Sequence, residues 1–212
     1  RGMLMGCARY ISKVRWGIST GSILLIYTFF NWMYFSQGAP VYQNPFLLIL
    51  IHLGYYAILF PFDYSNTMIV CRQEDLRAYY AKAFRQMAVV AVWYVIPLHV
   101  LMYGLGYVWG DVMDWQKMGI ALLYNSCNAV FFGGVYLVFS NRWGTFFAKV
   151  SLYVLLLFCY GINFAGEFFE AVNFLYFARE AMFHAGLILR SIGCYGILFG
   201  GLYLISYSKR KE

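Results

Sequence analysis

The sequence CRQEDLRAYYAKAFRQ, residues 71 to 86, is the only long and densely charged interruption in a chain otherwise made of apolar runs. Written as a helix, it places five apolar or aromatic side chains on one face: Leu76, Tyr79, Tyr80, Ala83 and Met87. Its acids, Glu74 and Asp75, come before most of its bases, which is the order that a helix dipole favours. The stretch therefore predicts an amphipathic helix that runs straight into the apolar segment after it.

The composition is typical of a membrane protein. Of the 212 residues, 62% are hydrophobic and only 12% are charged, and the mean hydropathy is +0.62. So few charged side chains are unable to cover the surface of a soluble protein of this length. We therefore expect an all-α, polytopic integral membrane protein in which residues 1–212 form a single transmembrane domain.

The net charge of the chain is formally +7, and the basic residues are distributed along the sequence as a membrane topology predicts. We expect six helical spans, at about residues 16–35, 46–62, 87–108, 118–139, 150–165 and 187–206. With this number of spans both termini lie on one side, together with 13 of the 16 lysines and arginines. Because cytoplasmic loops carry such an excess, we expect a multi-pass protein of the cell membrane with cytoplasmic termini. No recognition motif for nucleic acid accompanies the basic residues, so nucleic acid is not expected as a partner.

Two segments outside the spans are expected to lie at the membrane interface. Residues 3–15 mix apolar side chains with Arg9, Lys13 and Arg15, which indicates an amphipathic lead-in helix. Residues 166–186 are too polar for a plain span and too aromatic for a solvated loop, which predicts a re-entrant outer segment before the sixth span. The candidate polar residues of this outer segment are Glu167, Glu170, Arg179 and Glu180.

A few polar side chains fall inside the predicted spans: His52, His99, Asn125 and Asn128. Polar groups at this depth cost free energy unless they are partnered, so each is a candidate functional residue, although interhelical hydrogen bonding explains each equally well. Arg190, near the outer end of the sixth span, either snorkels to the interface or pairs with an acid of the outer segment. The five cysteines lie singly and no hydrolase or zinc motif is present, so we expect no catalytic residue, metal or bound cofactor.

The order of these features resembles the small six-span permease subunits of bacterial ABC exporters, the type-two (ABC-2) membrane family. The local match is NTMIVCRQEDLRAYYAKAFRQMAVVAVWYVI, residues 66 to 96, in which an apolar run ends at Arg72. A polar turn, a basic helix with aromatic residues and a long aliphatic span follow, with Tyr79, Tyr80 and Lys82 in the aromatic and basic part. Glu74 and Asp75 depart from the family pattern, which has small or basic residues there.

This resemblance implies that the charged helix is a cytoplasmic coupling helix that docks on a separate ATP-binding subunit. The docking residues would be Arg72, Glu74, Asp75, Leu76, Arg77, Tyr79, Tyr80, Lys82 and Arg85. The working unit would contain two membrane subunits, identical or related, and two ATP-binding subunits that hold ATP and Mg. The chain has no GxxxxGK[ST] loop, so it is not expected to hydrolyse ATP itself.

The resemblance further implies export of a peptide, an antibiotic or another amphiphilic compound through a cavity lined by spans 1, 2 and 5. Two other functions stay open. One is an intramembrane enzyme that uses His52 or His99. The other is a membrane protein that binds a partner, as an immunity protein does, without transport.

Overall fold

The computed structural model describes residues 14–15, 17–26, 45–60, 76–108, 114–164, 193, 196–197 and 199–201. Every regular element within these ranges is an α-helix, and the described residues contain no β-strand, which confirms the predicted all-α class. The helices are α1 (Gly17–Ile26), α2 (Pro45–Leu59), α3 (Leu76–Val108), α4 (Trp115–Trp143) and α5 (Thr145–Phe164).

Two of these helices are long and apolar enough to cross a membrane. The apolar stretches are Ala81–Val108 in α3, with 28 residues, and Met118–Trp143 in α4, with 26 residues. At 1.5 Å per residue each is about 40 Å long, which exceeds the roughly 30 Å of a hydrocarbon core. Shorter apolar helical stretches are Gly17–Ile26, Ile49–Leu59 and Thr145–Phe158.

The described part of the charged stretch, from Leu76 onward, and the predicted third span form one helix. α3 runs from Leu76 to Val108, through Pro97, and has 33 residues. The sequence predicts this continuity, because no proline or glycine separates the charged stretch from the apolar segment after it.

α4 is the central helix of the bundle. It packs along both α3 and α5, and α2 contacts all three of these helices. In an apolar 18-residue window of α4, 67% of the residues are buried, compared with 33% in a window of the same length in α3. The centre of the bundle is therefore built around α4, and the polar side chains of Asn125, Asn128 and Ser140 are buried there.

Aromatic side chains fill the space between α2, α3 and α4. The largest fully buried ones are Tyr55, Tyr56, Tyr94, Phe132 and Tyr136. The Tyr56 ring meets the Phe132 ring edge to face, with centroids 5.9 Å apart, and the Tyr56 hydroxyl donates to the Leu152 carbonyl of α5 at 3.3 Å. These contacts tie α2 to α4 and α5.

Two glycines allow helices to approach closely. A Cβ atom placed on Gly54 of α2 would collide with the Tyr94 hydroxyl, Ser19 Oγ and Ile23 Cδ1. One placed on Gly133 of α4 would collide with the Met87 side chain and the Tyr55 hydroxyl. Since each glycine has side chains of two other helices against it, each sets the spacing at a junction of three helices.

The two ends of α4 have local causes in the sequence. Asp114 caps the start, because its Oδ1 accepts from Gln116 N at 3.1 Å and its carbonyl accepts from Met118 N at 3.0 Å. Gly144 ends the helix with a φ of +88°, a left-handed conformation that favours glycine. Its N–H donates to Ser140 O and its carbonyl accepts from Ala148 N, both at 3.1 Å. The sequence predicts a loop over residues 140–149, between the fourth and fifth spans. In the structure Gly144 is the one non-helical residue between α4 and α5.

Apolar side chains also cover the outside of the bundle. On α3 an exposed stripe follows helical spacing: Val89, Trp93, Ile96 and Val100. On α5 the exposed apolar side chains are Phe146, Phe147, Val150, Tyr153, Val154, Leu157 and Phe158. Monomeric soluble proteins rarely expose apolar patches of this extent, whereas lipid covers them in a membrane.

Candidate functional site

The structure pairs two of the polar residues predicted inside the spans. His99 of α3 and Asn125 of α4 are both buried, and Asn125 Nδ2 lies 2.8 Å from His99 Nε2. His99 Nδ1 lies 2.8 Å from the Val95 carbonyl oxygen, one turn earlier on α3. Because a carbonyl oxygen only accepts, Nδ1 carries the ring proton and Nε2 accepts a hydrogen bond from the Asn125 amide. Both nitrogens of this imidazole are thus engaged.

A second imidazole is buried on another helix. His52 of α2 has no exposed surface, and its ring meets Phe132 of α4 edge to face, with centroids 5.0 Å apart. Neither ring nitrogen of His52 has a hydrogen-bond partner among the described atoms. His52 is therefore held against α4 by a ring contact, whereas His99 is joined to α4 by a hydrogen bond.

Several buried polar atoms have no hydrogen-bond partner in the part of the chain that the structure describes. Both nitrogens of His52 and the Oδ1 atom of Asn125 are among them, and so are the hydroxyls of Thr20 and Ser140. A buried polar group without a partner costs about 1–3 kcal/mol. His52 carries two such atoms and is therefore a candidate functional residue.

The remaining intramembrane candidates are placed differently. Asn128 is buried three residues after Asn125 on α4, which puts the two amides on neighbouring positions of one helix face. Arg190 lies outside the described residues, and so do the four charged residues predicted for the outer segment: Glu167, Glu170, Arg179 and Glu180. Within the described residues, no group of three or more His, Cys, Asp or Glu side chains is placed to hold a metal ion.

The predicted docking stretch has its apolar face directed towards the bundle. Ala83 and Met87 are buried in the core, and Tyr79 is partly buried against it. Lys82 and Arg85 are exposed. The structure describes Leu76, Arg77 and Tyr80 as helical positions only, and Arg72, Glu74 and Asp75 lie outside the described residues. In the described part, the free surface of the stretch is therefore basic.

A groove of about 440 Å³ lies between α1 and α2. Its apolar lining residues are Ile18, Ile23, Ile26, Leu50, Leu53, Ala57 and Phe60. Ser19 and Ser22 of α1, together with Arg15, add polar groups to the lining. Ser19 Oγ also shares a hydrogen bond of 3.3 Å with the Tyr94 hydroxyl. The groove lies between helices of the first two predicted spans, and the described part of α5 does not line it. Sequence reasoning did not single out Ser19 or Tyr94, since a serine in a span and one tyrosine among 20 carry no distinguishing signal.

No protein-family model matches the chain, and no curated protein or solved structure matches it either. Inference about function therefore starts from the residues and from the geometry described above.

Proposed function

We propose that the chain is the membrane-spanning permease subunit of an ATP-driven exporter of the type-two ABC family. Continuity of α3 carries this proposal. With 33 residues, α3 is about 50 Å long, roughly 20 Å more than the hydrocarbon core requires. One continuous helix thus joins the exposed bases Lys82 and Arg85 to His99 in the core. A displacement applied to the basic end would reach the centre of the bundle without passing through a loop.

The proposed topology has six crossings, with both termini on the cytoplasmic side of the cell membrane. Its support is the distribution of lysine and arginine along the sequence. It places the basic end of α3 in the cytoplasm and the turn between α3 and α4 outside. A single cysteine introduced at Asn44 and labelled with an impermeant reagent should react only from outside the cell. Labelling only from the cytoplasm would contradict this topology.

The proposed partners are two cytosolic ATP-binding subunits, which hold ATP and Mg, and a second membrane subunit. Since Tyr79 packs against the bundle, the described surface offered to an ATP-binding subunit is that of Lys82 and Arg85. Such exposed charges contribute chiefly to the association rate and to its salt dependence. Tyr79, which is only partly buried, and Tyr80 stay the proposed aromatic anchors on this stretch.

The proposed substrate is an amphiphilic molecule such as a peptide or antibiotic. The groove between α1 and α2 supports this class, because it combines an apolar wall with the Arg15 guanidinium and two serine hydroxyls. Its volume of about 440 Å³ lies within the range of small-molecule sites.

Capture of an ATP-binding subunit tests the proposal. The tagged chain is purified from its native membranes, and bound proteins are identified by mass spectrometry and assayed for ATP hydrolysis. We expect a protein with a GxxxxGK[ST] loop to co-purify, and we expect Lys82→Glu with Arg85→Glu to reduce its capture roughly tenfold. Arg142→Glu is the matched control, since Arg142 is an exposed base at the end of α4 on the same proposed side.

Two results would contradict the proposal. One is purification of the intact chain with no ATP-binding protein. The other is equal capture by the wild-type chain and the double charge-reversal variant, at low salt and with normal expression of both.

A further inference from the structure

The groove between α1 and α2 has the length of one membrane leaflet. Its lining runs from Arg15 to Ile26 along α1 and from Phe60 to Leu50 along α2. Each of these stretches is about 15 Å long at 1.5 Å per residue. The hydrocarbon core of a bilayer is roughly 30 Å thick, and each leaflet accounts for half of it. The groove therefore matches a molecule that is as long as one leaflet is deep.

The two walls of the groove lie in register. A Cβ atom placed on Gly54, midway along the α2 wall, would collide with Ser19 Oγ and Ile23 Cδ1, which lie midway along the α1 wall. In the proposed topology consecutive spans run in opposite directions. Arg15 and Phe60 then share the cytoplasmic end of the groove, and the opposite end, which is apolar on both helices, lies deep in the bilayer.

Positive charge from two helices borders the cytoplasmic end of the groove. Arg15 is exposed and lines the groove itself. Lys149 of α5 lies behind the Phe60 ring, with its Nζ atom 5.5 Å from the ring centroid. That distance is within the roughly 8 Å over which charges act at physiological salt. An anionic group at this end of the groove is therefore attracted by both bases.

Acidic side chains do not compensate these bases in the part of the chain that the structure describes. The one acid there is Asp114, at the start of α4. The Phe60 ring instead meets Tyr136, with centroids 5.7 Å apart, and Tyr136 lies about 33 Å beyond Asp114 along α4. Asp114 is therefore at the far end of the bundle, and the charge at the mouth of the groove favours an anion.

The polar groups of the α1 wall follow the order of the parts of a phospholipid. Ser19 and Ser22 lie four and seven residues after Arg15, on the same helix face and about 6 and 10 Å deeper. Beyond Ser22 the lining of α1 is apolar, and the lining of α2 is apolar throughout. A base, then hydroxyls and then an apolar wall match a phosphate, ester oxygens that accept hydrogen bonds, and an acyl chain.

We propose that this groove binds an anionic phospholipid of the cytoplasmic leaflet, with its phosphate at Arg15 and Lys149 and one acyl chain between α1 and α2. Basic pockets between membrane helices on the cytoplasmic side are known to bind lipid headgroups. The proposal rests on the topology given under the proposed function, and it names the lipid with which a substrate in the same groove would compete. It needs no ATP-binding subunit.

Photo-crosslinking of the full chain in phospholipid vesicles tests the proposal. The probe is phosphatidylglycerol with a photoreactive diazirine in one acyl chain, present as a minor component of phosphatidylcholine vesicles. Phosphatidylcholine with the same modified chain is the matched control probe. After irradiation the labelled peptides are quantified by mass spectrometry. We expect residues 17–26 and 45–60 to be labelled about tenfold more by the anionic probe than by the zwitterionic one.

Charge variants test the contact with the phosphate. Arg15→Gln should reduce labelling of the groove by the anionic probe about fivefold, which corresponds to the contribution of one base near an anionic lipid. Lys149→Gln should reduce it as well, and neither variant should change labelling by phosphatidylcholine. Arg142→Gln is the control, because Arg142 is an exposed base at the end of α4 that does not line the groove.

A filled groove tests the place of the acyl chain. Ala57 is an exposed residue of the α2 wall, and Ala57→Trp should abolish the preference for the anionic probe. Leu157→Trp, at an exposed position of α5, is the matched control and should keep that preference. If Ala57→Trp does not fold, the charge variants still decide the proposal.

Three results would overturn the proposal. Equal labelling by the two probes would show that only bulk lipid covers the groove. Labelling of the outer face of α5 but not of α1 and α2 would show that another segment or a second copy of the chain fills it. Wild-type labelling of Arg15→Gln with Lys149→Gln would show that these bases hold no headgroup. Failure to capture an ATP-binding subunit would contradict the proposed function and leave all three readouts unchanged.

Discussion

Replacing Gly54 by alanine should destabilise the chain, although alanine is the better helix former. The added Cβ would collide with the Tyr94 hydroxyl, Ser19 Oγ and Ile23 Cδ1. Tyr94 is fully buried, so its ring has little room to swing aside, and the Ser19–Tyr94 hydrogen bond would be strained or lost. Overpacking of this kind costs about 1–3 kcal/mol and a lost hydrogen bond about 1 kcal/mol. The higher helix propensity of alanine offsets about 1 kcal/mol of this cost. The net loss should be about 1–3 kcal/mol.

Thermal unfolding in detergent micelles, followed by tryptophan fluorescence, measures this loss. For a chain of this length a change of about 1–3 kcal/mol corresponds to a fall of roughly 2–12 °C in Tm. Gly104→Ala is the matched control, because Gly104 lies within α3 and no described atom comes within 4 Å of its Cβ position. That variant should be as stable as the wild-type chain or slightly more stable.

A double variant separates the collision from other effects of Gly54→Ala. Tyr94→Phe with Ser19→Ala removes two of the three atoms that the new Cβ would meet. In that background the cost of Gly54→Ala should shrink by half or more, which a double-mutant cycle measures. Equal Tm changes for Gly54→Ala and Gly104→Ala would refute the packing described here. An undiminished cost in the double-variant background would show that the side-chain oxygens are not the cause.

The other predictions concern the helix ends and the charged stretch. Gly144→Ala should cost about 1–2 kcal/mol, because the φ of +88° at this position is unfavourable for a residue with a Cβ. The Tm of this variant should fall, and an unchanged Tm would contradict the left-handed turn. Asp114→Ala should cost about 1 kcal/mol through loss of the cap on α4, whereas Asp114→Asn should cost only a small part of that. Tyr79→Ala should lower the free energy of unfolding by about 1–3 kcal/mol, since the ring packs on the core. Lys82→Ala should change stability by less than about 0.5 kcal/mol and should weaken capture of the ATP-binding subunit. If Tyr79→Ala instead weakens capture without loss of stability, Tyr79 faces the partner.

The apolar runs were sufficient to predict helices but not where each one ends. Long helices were expected over the third and fourth predicted spans, and α3 and α4 occupy those positions. The boundary after α4 depends on one residue, Gly144, whose left-handed φ is a matter of local backbone geometry. A glycine inside an apolar run gives no sign of whether it bends the chain or, as at Gly54, admits a neighbouring side chain. A hydropathy profile only counts apolar residues, so it detects neither a bend in the chain nor a close contact between helices.

The polar residues of the candidate site were visible in the sequence, but their pairing was not. His52, His99 and Asn125 stand out because each interrupts an apolar run. Which of them meet depends on how α2, α3 and α4 rotate against one another, and that is decided by shape at contacts such as the one between Gly133 and Met87. The same limit applies to the charged stretch. Helical spacing showed that Tyr79, Ala83 and Met87 share a face, but spacing does not say whether a partner or the chain's own bundle covers that face.

The arrangement of the bundle places its most polar long helix in the middle, and this has a physical reason in a membrane. Lipid is as apolar as leucine, so burying apolar surface gives little drive for one helix to prefer the centre. Polar side chains do provide that drive, since an amide facing lipid has no hydrogen-bond partner. Asn125, Asn128 and Ser140 all lie on α4 and all are buried, while α3 and α5 present apolar stripes outward. The hydrogen bond from Asn125 to His99 is worth only about 1 kcal/mol by comparison with other membrane proteins. The polar residues therefore favour the central position of α4 and leave the apolar stripes of α3 and α5 facing outward.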